Sequence, residues 1–298
     1  MPVTILHDNG RHRLLADRRR LTPNLGPAFC RLLDREVLGK AGGSPRRVST
    51  PPDLDVVLCS TRPEKQYTEK VLDALGIDGY VVLGRHLTEW KHVFKLHLVL
   101  DHIERHPQPE LLLHLDATDV LVVGELQSAV DAFLGEASCD LLFGAEKGSA
   151  PGSSTTGGIT PAERRFIERI EEFEKGTYRR PFQHLNAGCF IGRKAAIREL
   201  FSEALKVRQS WPLTTVLRNG NQLADDDQLI LRELHRLHYP RARIDHLCAV
   251  FQNLFAIKRS ELAVERPIAR GSEVVVAYLK HLVFVVTSRA RRRARARS

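Results

Sequence analysis

The chain has 298 residues, 43% of them hydrophobic and 27% charged, a globular profile that excludes a mainly disordered chain and a collagen-like repeat. No run approaches the ~20 apolar residues that a membrane-spanning helix needs, and the five cysteines (Cys30, Cys59, Cys139, Cys189, Cys248) include no Cys-x-x-Cys pair, which excludes a zinc ribbon and a disulfide framework. The net charge of +9 sits at the ends: residues 1–50 carry +6, residues 289–298 carry +6 from six arginines, and the body 51–288 is left at −3.

Residues 1–50 show weak periodicity, with one short helix expected around Pro27–Leu38, and 41–52 (AGGSPRRVSTPP) reads as a linker. Asp55–Cys59 is an apolar run that predicts a buried strand, followed by helical spacing over Arg62–Leu75 and a second strand over Gly79–Leu83. Glu89–Arg105 is expected to be helical, with Val93, Leu96, Leu100 and Ile103 on one face and Pro107 and Pro109 beyond its end. Leu111–Leu115 reads as a strand buried on both faces. Then come an apolar run over Val120–Val123, a helix over Glu125–Phe133, a strand over Asp140–Phe143, a flexible loop over 147–160 and a polar helix over Pro161–Lys175. A strand over Cys189–Gly192, a helix over Lys194–Arg208 and a helix over Asp226–Leu237 follow, then a mixed segment Asp245–Leu254 and apolar runs at Val274–Leu279 and Leu282–Val286. Strands alternating with helices predict an α/β fold with a mixed, mainly parallel sheet flanked by helices. The organisation expected is a basic, partly flexible extension (1–50), one folded domain (51–288) and a disordered arginine tail (289–298).

Four short patterns carry possible chemistry. His114-Leu-Asp116-Ala-Thr-Asp119 puts two carboxylates at the end of a buried strand, where an isolated charge is costly. They either cap a turn or converge on a hard divalent ion, Mn2+ or Mg2+, beyond the carboxyl end of the strand. Ala224-Asp-Asp226-Asp227-Gln228 opens a helix, so its acids either cap it or act on a ligand. Leu185-Asn186-Ala187-Gly188-Cys-Phe-Ile-Gly192 is a small-residue turn before a strand, either ordinary or placed for close backbone approach to a ligand. Asp245-His246 precedes Val250-Phe-Gln-Asn-Leu254 and reads as structural or as a ligand.

Taken in order, LHLDATDV, LLFGAE (141–146), LNAGCFIG, DDDQL and IDHLCAVFQNL resemble the glycosyltransferase domain of the procollagen lysyl hydroxylases and the related procollagen galactosyltransferases, over about residues 55–280. The resemblance implies a GT-A type fold and metal-assisted transfer of a hexose from a UDP-sugar to a hydroxyl acceptor. It implies Asp116 and Asp119 as ligands of Mn2+ or Mg2+, and Asp226 and Asp227 as the acids of transfer. It places Asn186, Ala187 and Gly188 at the acceptor. On the donor it places Thr61, in the Cys59-Ser60-Thr61 turn, together with Trp90, Lys91 and Thr118. Three departures stand out. Thr118 replaces a tyrosine of the family, the glycine-rich loop between Trp90 and Lys91 is missing, and Arg270 in Pro267-Ile-Ala-Arg270-Gly-Ser272 stands where the family has a metal-ligating histidine. Arginine stays protonated and cannot ligate, but it pairs well with a diphosphate.

Two other readings stay open: a degenerate transferase that binds a nucleotide sugar or glycan without turnover, and a polyanion-binding protein working through its basic ends. The acidic body argues against a specific nucleic-acid surface and leaves the arginine tail for weak contact with anionic surfaces. The first residues, MPVTILHDNG, show no apolar block after a basic one, and a cytoplasmic location is expected.

Overall fold

The computed structural model describes residues 5–7, 47–122, 124–136, 139–148, 158–178, 181–211, 213–216, 220, 222–253, 262–265 and 276–279. The helix expected at Pro27–Leu38, most of the loop 147–160, the apolar run Leu282–Val286, Arg270 and the arginine tail lie outside the described residues.

The strands are β1 (Ile5–His7), β2 (Leu54–Cys59), β3 (Val81–Leu83), β4 (Leu111–Asp116), β5 (Val120–Val122), β6 (Leu141–Glu146), β7 (His184–Arg193), β8 (Ala242–Ile244), β9 (Phe251–Asn253), β10 (Leu262–Glu265) and β11 (Val276–Leu279). The helices are α1 (Tyr67–Leu75), α2 (Phe94–Arg105), α3 (Leu126–Leu134), α4 (Pro161–Thr177), α5 (Lys194–Val207) and α6 (Asp227–His238). A six-stranded sheet runs in the order β3-β2-β4-β7-β6-β8. Five of its strands point one way and β7 alone is reversed, which is the mixed, mainly parallel α/β sheet the sequence predicts.

The apolar runs make sense against this sheet because both of its faces are covered. Val56 and Leu58 of β2, with Leu113 and Leu115 of β4, face Val71, Leu72 and Leu75 of α1 and Ala129, Val130 and Phe133 of α3. Val57, Leu112, Phe143 and Phe190 face the opposite layer, with Leu96 and Val99 of α2, Leu200 and Phe201 of α5, and Ile230 and Leu234 of α6. Period-two alternation therefore carries an apolar residue at nearly every position, each buried aliphatic side chain contributing about 1.5–3 kcal/mol.

Some boundaries differ from the sequence reading, for local reasons. α1 starts at Tyr67 rather than Arg62, because Gln66 and Glu69 form a reciprocal cap, with the Gln66 amide donating to Glu69 Oε1 at 2.8 Å. α2 starts at Phe94 rather than Glu89, so Trp90, Lys91 and His92 lie in the segment leading into it. β7 starts at His184, five residues before the expected strand, and takes in the stretch expected to be a turn.

Two smaller sheets complete the description. β1 pairs antiparallel with β5 and parallel with β9, so three residues of the expected extension join a sheet with the body. β10 and β11 pair antiparallel. No helix among the described residues is long and apolar enough to cross a membrane.

Candidate functional site

The direction of the strands collects polar groups at one edge. β2, β4 and β6 end there, at Cys59, Asp116 and Glu146, and the reversed β7 begins there at His184. α2 follows β3 and α6 precedes β8, so both helices turn their N-terminal ends to the same edge, and these ends carry partial positive charge.

Lys95, in the first turn of α2, sits at the centre. Its ammonium lies 2.6 Å from Asp227 Oδ2 and 3.4 Å from Asp116 Oδ1, and it donates to the Ala187 carbonyl at 3.1 Å. Lys95 is 6% exposed. Burial by itself would lower its pKa, but Asp116 and Asp227 outweigh burial and raise it, so the side chain stays charged. His92 Nδ1 lies 3.6 Å from Asp227 Oδ1, on the outer side. Cys59, opposite Asp116 in the sheet register, has its thiol pushed up by burial to about 12, so it is a neutral thiol here and not a nucleophile.

The two acids that open α6 have different work. Asp226 is the cap, accepting from the Leu229 amide at 2.9 Å. Its pKa is raised by burial and by the neighbouring charge of Asp227. Asp227 is the residue that reaches Lys95. Gln228 then ties α6 to β6, donating to Glu146 Oε1 at 2.8 Å, while Asn186 Nδ2 donates to Glu146 Oε2 at 3.1 Å and Asn186 Oδ1 accepts from the Gly188 amide at 3.0 Å.

Of the residues singled out in the sequence, Asp116, Ala187 and Asp227 meet around Lys95, and Asp226 is adjacent. Asn186, Ala187 and Gly188 are buried strand residues at an irregularity of the β6–β7 pairing, between Phe143 and Gly144, and Ala187 meets Lys95 through its carbonyl. Asp119 is 2% exposed in the turn after β4, and Thr118 is exposed. That turn is pinned from behind, since Thr68 of α1 donates to the Asp116 carbonyl at 2.6 Å and accepts from the Val120 amide at 3.1 Å. Thr61, just past β2, and Trp90 are half-buried. Lys91 faces Glu89 at 3.6 Å and the Phe94 ring at 5.8 Å. Asp245 is structural, with Oδ2 accepting from the Val250 and Phe251 amides at 2.7 and 2.8 Å.

Lys95 is the residue that the sequence reading missed, while Glu146 and Gln228 stood in its motifs without a role. The one available signal was Glu146 ending an apolar strand, since a carboxylate buried there needs partners.

A hard divalent ion takes about six oxygen ligands, of which one or two carboxylates suffice when waters and phosphate oxygens complete the shell. Here Asp116 Oδ1 lies 3.4 Å from the Lys95 ammonium, Asp119 is buried, and no group of three or more His, Cys, Asp or Glu among the described residues is placed to hold a metal without such completion.

No family model matches the chain, and no curated protein matches it. Among solved structures it is similar to the apo structure of WbbM, a bifunctional glycosyltransferase, at 11% identity and a TM-score of 0.36, over 68% of this chain and 41% of that one. The chain thus spans less than half the length of that structure.

Proposed function

We propose that the chain is a glycosyltransferase that moves a hexose from a UDP-sugar to a hydroxyl acceptor. One observation carries this reading. Asp116, Ala187 and Asp227, from three of the ordered motifs that resemble the procollagen-modifying transferases, converge on one buried ammonium at the carboxyl edge of the sheet. Carboxylates held by a fixed cation are suited to gripping sugar hydroxyls, and a charged group preset beside a departing diphosphate stabilises the charge it acquires. In the step itself the acceptor oxygen bonds to the anomeric carbon, the bond from that carbon to the diphosphate breaks, and UDP departs. Asp226, whose pKa is raised by burial and by Asp227, takes the acceptor proton. Asp227, anchored by Lys95, orients the acceptor. Thr61, Trp90, Lys91 and Thr118 are assigned to the nucleotide and sugar, and Arg270 to the diphosphate, on the resemblance.

The test is a melting curve with UDP and a panel of UDP-sugars, each with and without Mn2+ or Mg2+, together with UDP release. At a hundred times its dissociation constant a ligand of the native state adds about 2.7 kcal/mol, roughly 5–10 °C for a protein of this size. Asp116→Ala is expected to lose most of that shift. A wild-type transition unmoved by millimolar UDP and UDP-sugars would sink the reading. Binding without release of UDP would make the protein a nucleotide-sugar-binding module instead.

A further inference from the structure

We propose that Lys95 is a cation built into the site: its ammonium occupies the position between Asp116 and Asp227 where a bridging divalent ion would sit, and it offsets one of the two carboxylate charges. The proposal rests on the reading of this edge as the donor site, and its consequence there is that the cation held between these two carboxylates is a fixed side chain.

The geometry is that of a held ion. An ammonium has three protons, and Lys95 Nζ has three oxygen neighbours from three elements: Asp116 Oδ1 on β4 at 3.4 Å, Asp227 Oδ2 on α6 at 2.6 Å and the Ala187 carbonyl on β7 at 3.1 Å. Nothing in its own helix favours a cation at this point. Lys95 lies in the first turn of α2, where the helix dipole disfavours positive charge, the first turn holds no acid, and Val93 supplies no side-chain cap. Its place is set by the acids of the other two elements. A divalent ion bridging Asp116 and Asp227 would lie against this ammonium, with like charges in contact at a position where the Lys95 and Asp227 side chains are buried. Metal and lysine therefore compete for one position, and the lysine, covalently tethered and buried, holds it.

The test uses Mn2+ alone, with no nucleotide, titrated into the full chain and followed by electron paramagnetic resonance of the free ion and by melting temperature. The wild type is expected to bind Mn2+ weakly, with Asp116→Asn making no difference. Lys95→Met leaves two carboxylates facing each other without their cation, and is expected to bind Mn2+ at least tenfold more tightly than the wild type and to melt higher when Mn2+ is added. In Lys95→Met/Asp227→Asn this gain is expected to disappear. One tightly bound Mn2+ in the wild type, lost in Asp116→Asn, overturns the proposal, and that comparison needs no lysine variant to fold. Equal Mn2+ affinity in the wild type and Lys95→Met overturns it as well. Failure of UDP to bind is a different result: it removes the donor-site reading and leaves these metal titrations unaffected.

Discussion

A buried lysine is costly unless its charge is met, and this protein meets that requirement twice, with helix lysines paired to carboxylates at opposite ends of the same sheet. Lys194 lies 2.6 Å from Asp55 Oδ2 and donates to the His106 carbonyl at 2.7 Å, with His102 adding a 2.7 Å contact to the same carboxylate. That cluster sits where β2 begins, and Lys95 sits where β2 and β4 end. Exposure separates them: the Asp55 side chain is 10% exposed and the Asp116 side chain 33%, so the first cluster is closed and the second opens to solvent. Lys95 was not legible in the sequence, because a single lysine on an amphipathic helix reads as its solvated face. Its three partners are distant in the chain, and only the sheet brings them to it. The acids of α6 were legible as a pair, in two alternative roles; Asp226 makes the cap and Asp227 pairs with Lys95. Asp226→Asn is expected to keep the cap and cost less than about 1 kcal/mol, since asparagine caps as well as aspartate. Asp227→Asn removes the shorter of the two ion pairs of Lys95, and is expected to cost about 1–3 kcal/mol in urea unfolding. Under the proposed function both lower transfer, Asp226→Asn by about 10²-fold or more as expected for loss of a general base.

At the scale of elements, β7 shows where the sequence reading fell short. Asn186, Ala187 and Gly188 look like turn residues, polar or small, and a strand was expected only from Cys189, yet the strand starts at His184. They are strand because carboxylates from elsewhere satisfy their polar groups inside the sheet: Glu146 meets Asn186, and Glu174 at the end of α4 meets His184 Nδ1 at 2.7 Å. Glu174 also takes Arg232 of α6 in a two-pronged pair at 2.9 and 2.6 Å, with both side chains 0% exposed. One carboxylate thus joins α4, α6 and β7 behind the site. Burial would raise the pKa of Glu174, but the hydrogen bonds from His184 and Arg232 outweigh it and bring it down to about 2 from an ordinary 4.5. A carboxylate lowered in the folded state gives its full stabilisation above the unfolded value and loses it as pH falls through the folded one. Glu174→Gln is therefore expected to cost about 3–5 kcal/mol near neutral pH, the range for breaking a buried pair. The gap between wild type and variant should close as pH falls from about 4.5 to 2. Denaturant unfolding across that window checks it, and a gap independent of pH would show that Glu174 is not held as a charged group.

Over the whole molecule, the alternation of apolar runs with helical spacing was enough to read the α/β class and the mainly parallel sheet, since buried parallel strands need no partner signal beyond their own continuity. Asp116 was legible at a strand end for the same reason. The three-stranded β5-β1-β9 sheet was not, because three residues of ordinary composition carry no periodicity, and β1 finds its partners far along the chain. β5 begins immediately after Asp119, so β1 braces the outgoing side of the turn between β4 and β5. Deletion of residues 1–10 is expected to speed amide hydrogen exchange at 120–122 and 251–253 and to lower the melting temperature. Unchanged exchange in both segments would show that β1 contributes nothing to their protection.

The pairing of β1 also bears on the order in which the protein folds. Ile5 lies beside Val122 on one side and Phe251 on the other. Both neighbours are far from it along the chain, so neither contact can form from local sequence, and the sheet beside the site closes after the layers that its strands come from. A contact spanning that much chain carries a large loop-closure cost, so the final closure is expected to be slow compared with the assembly of the central layers.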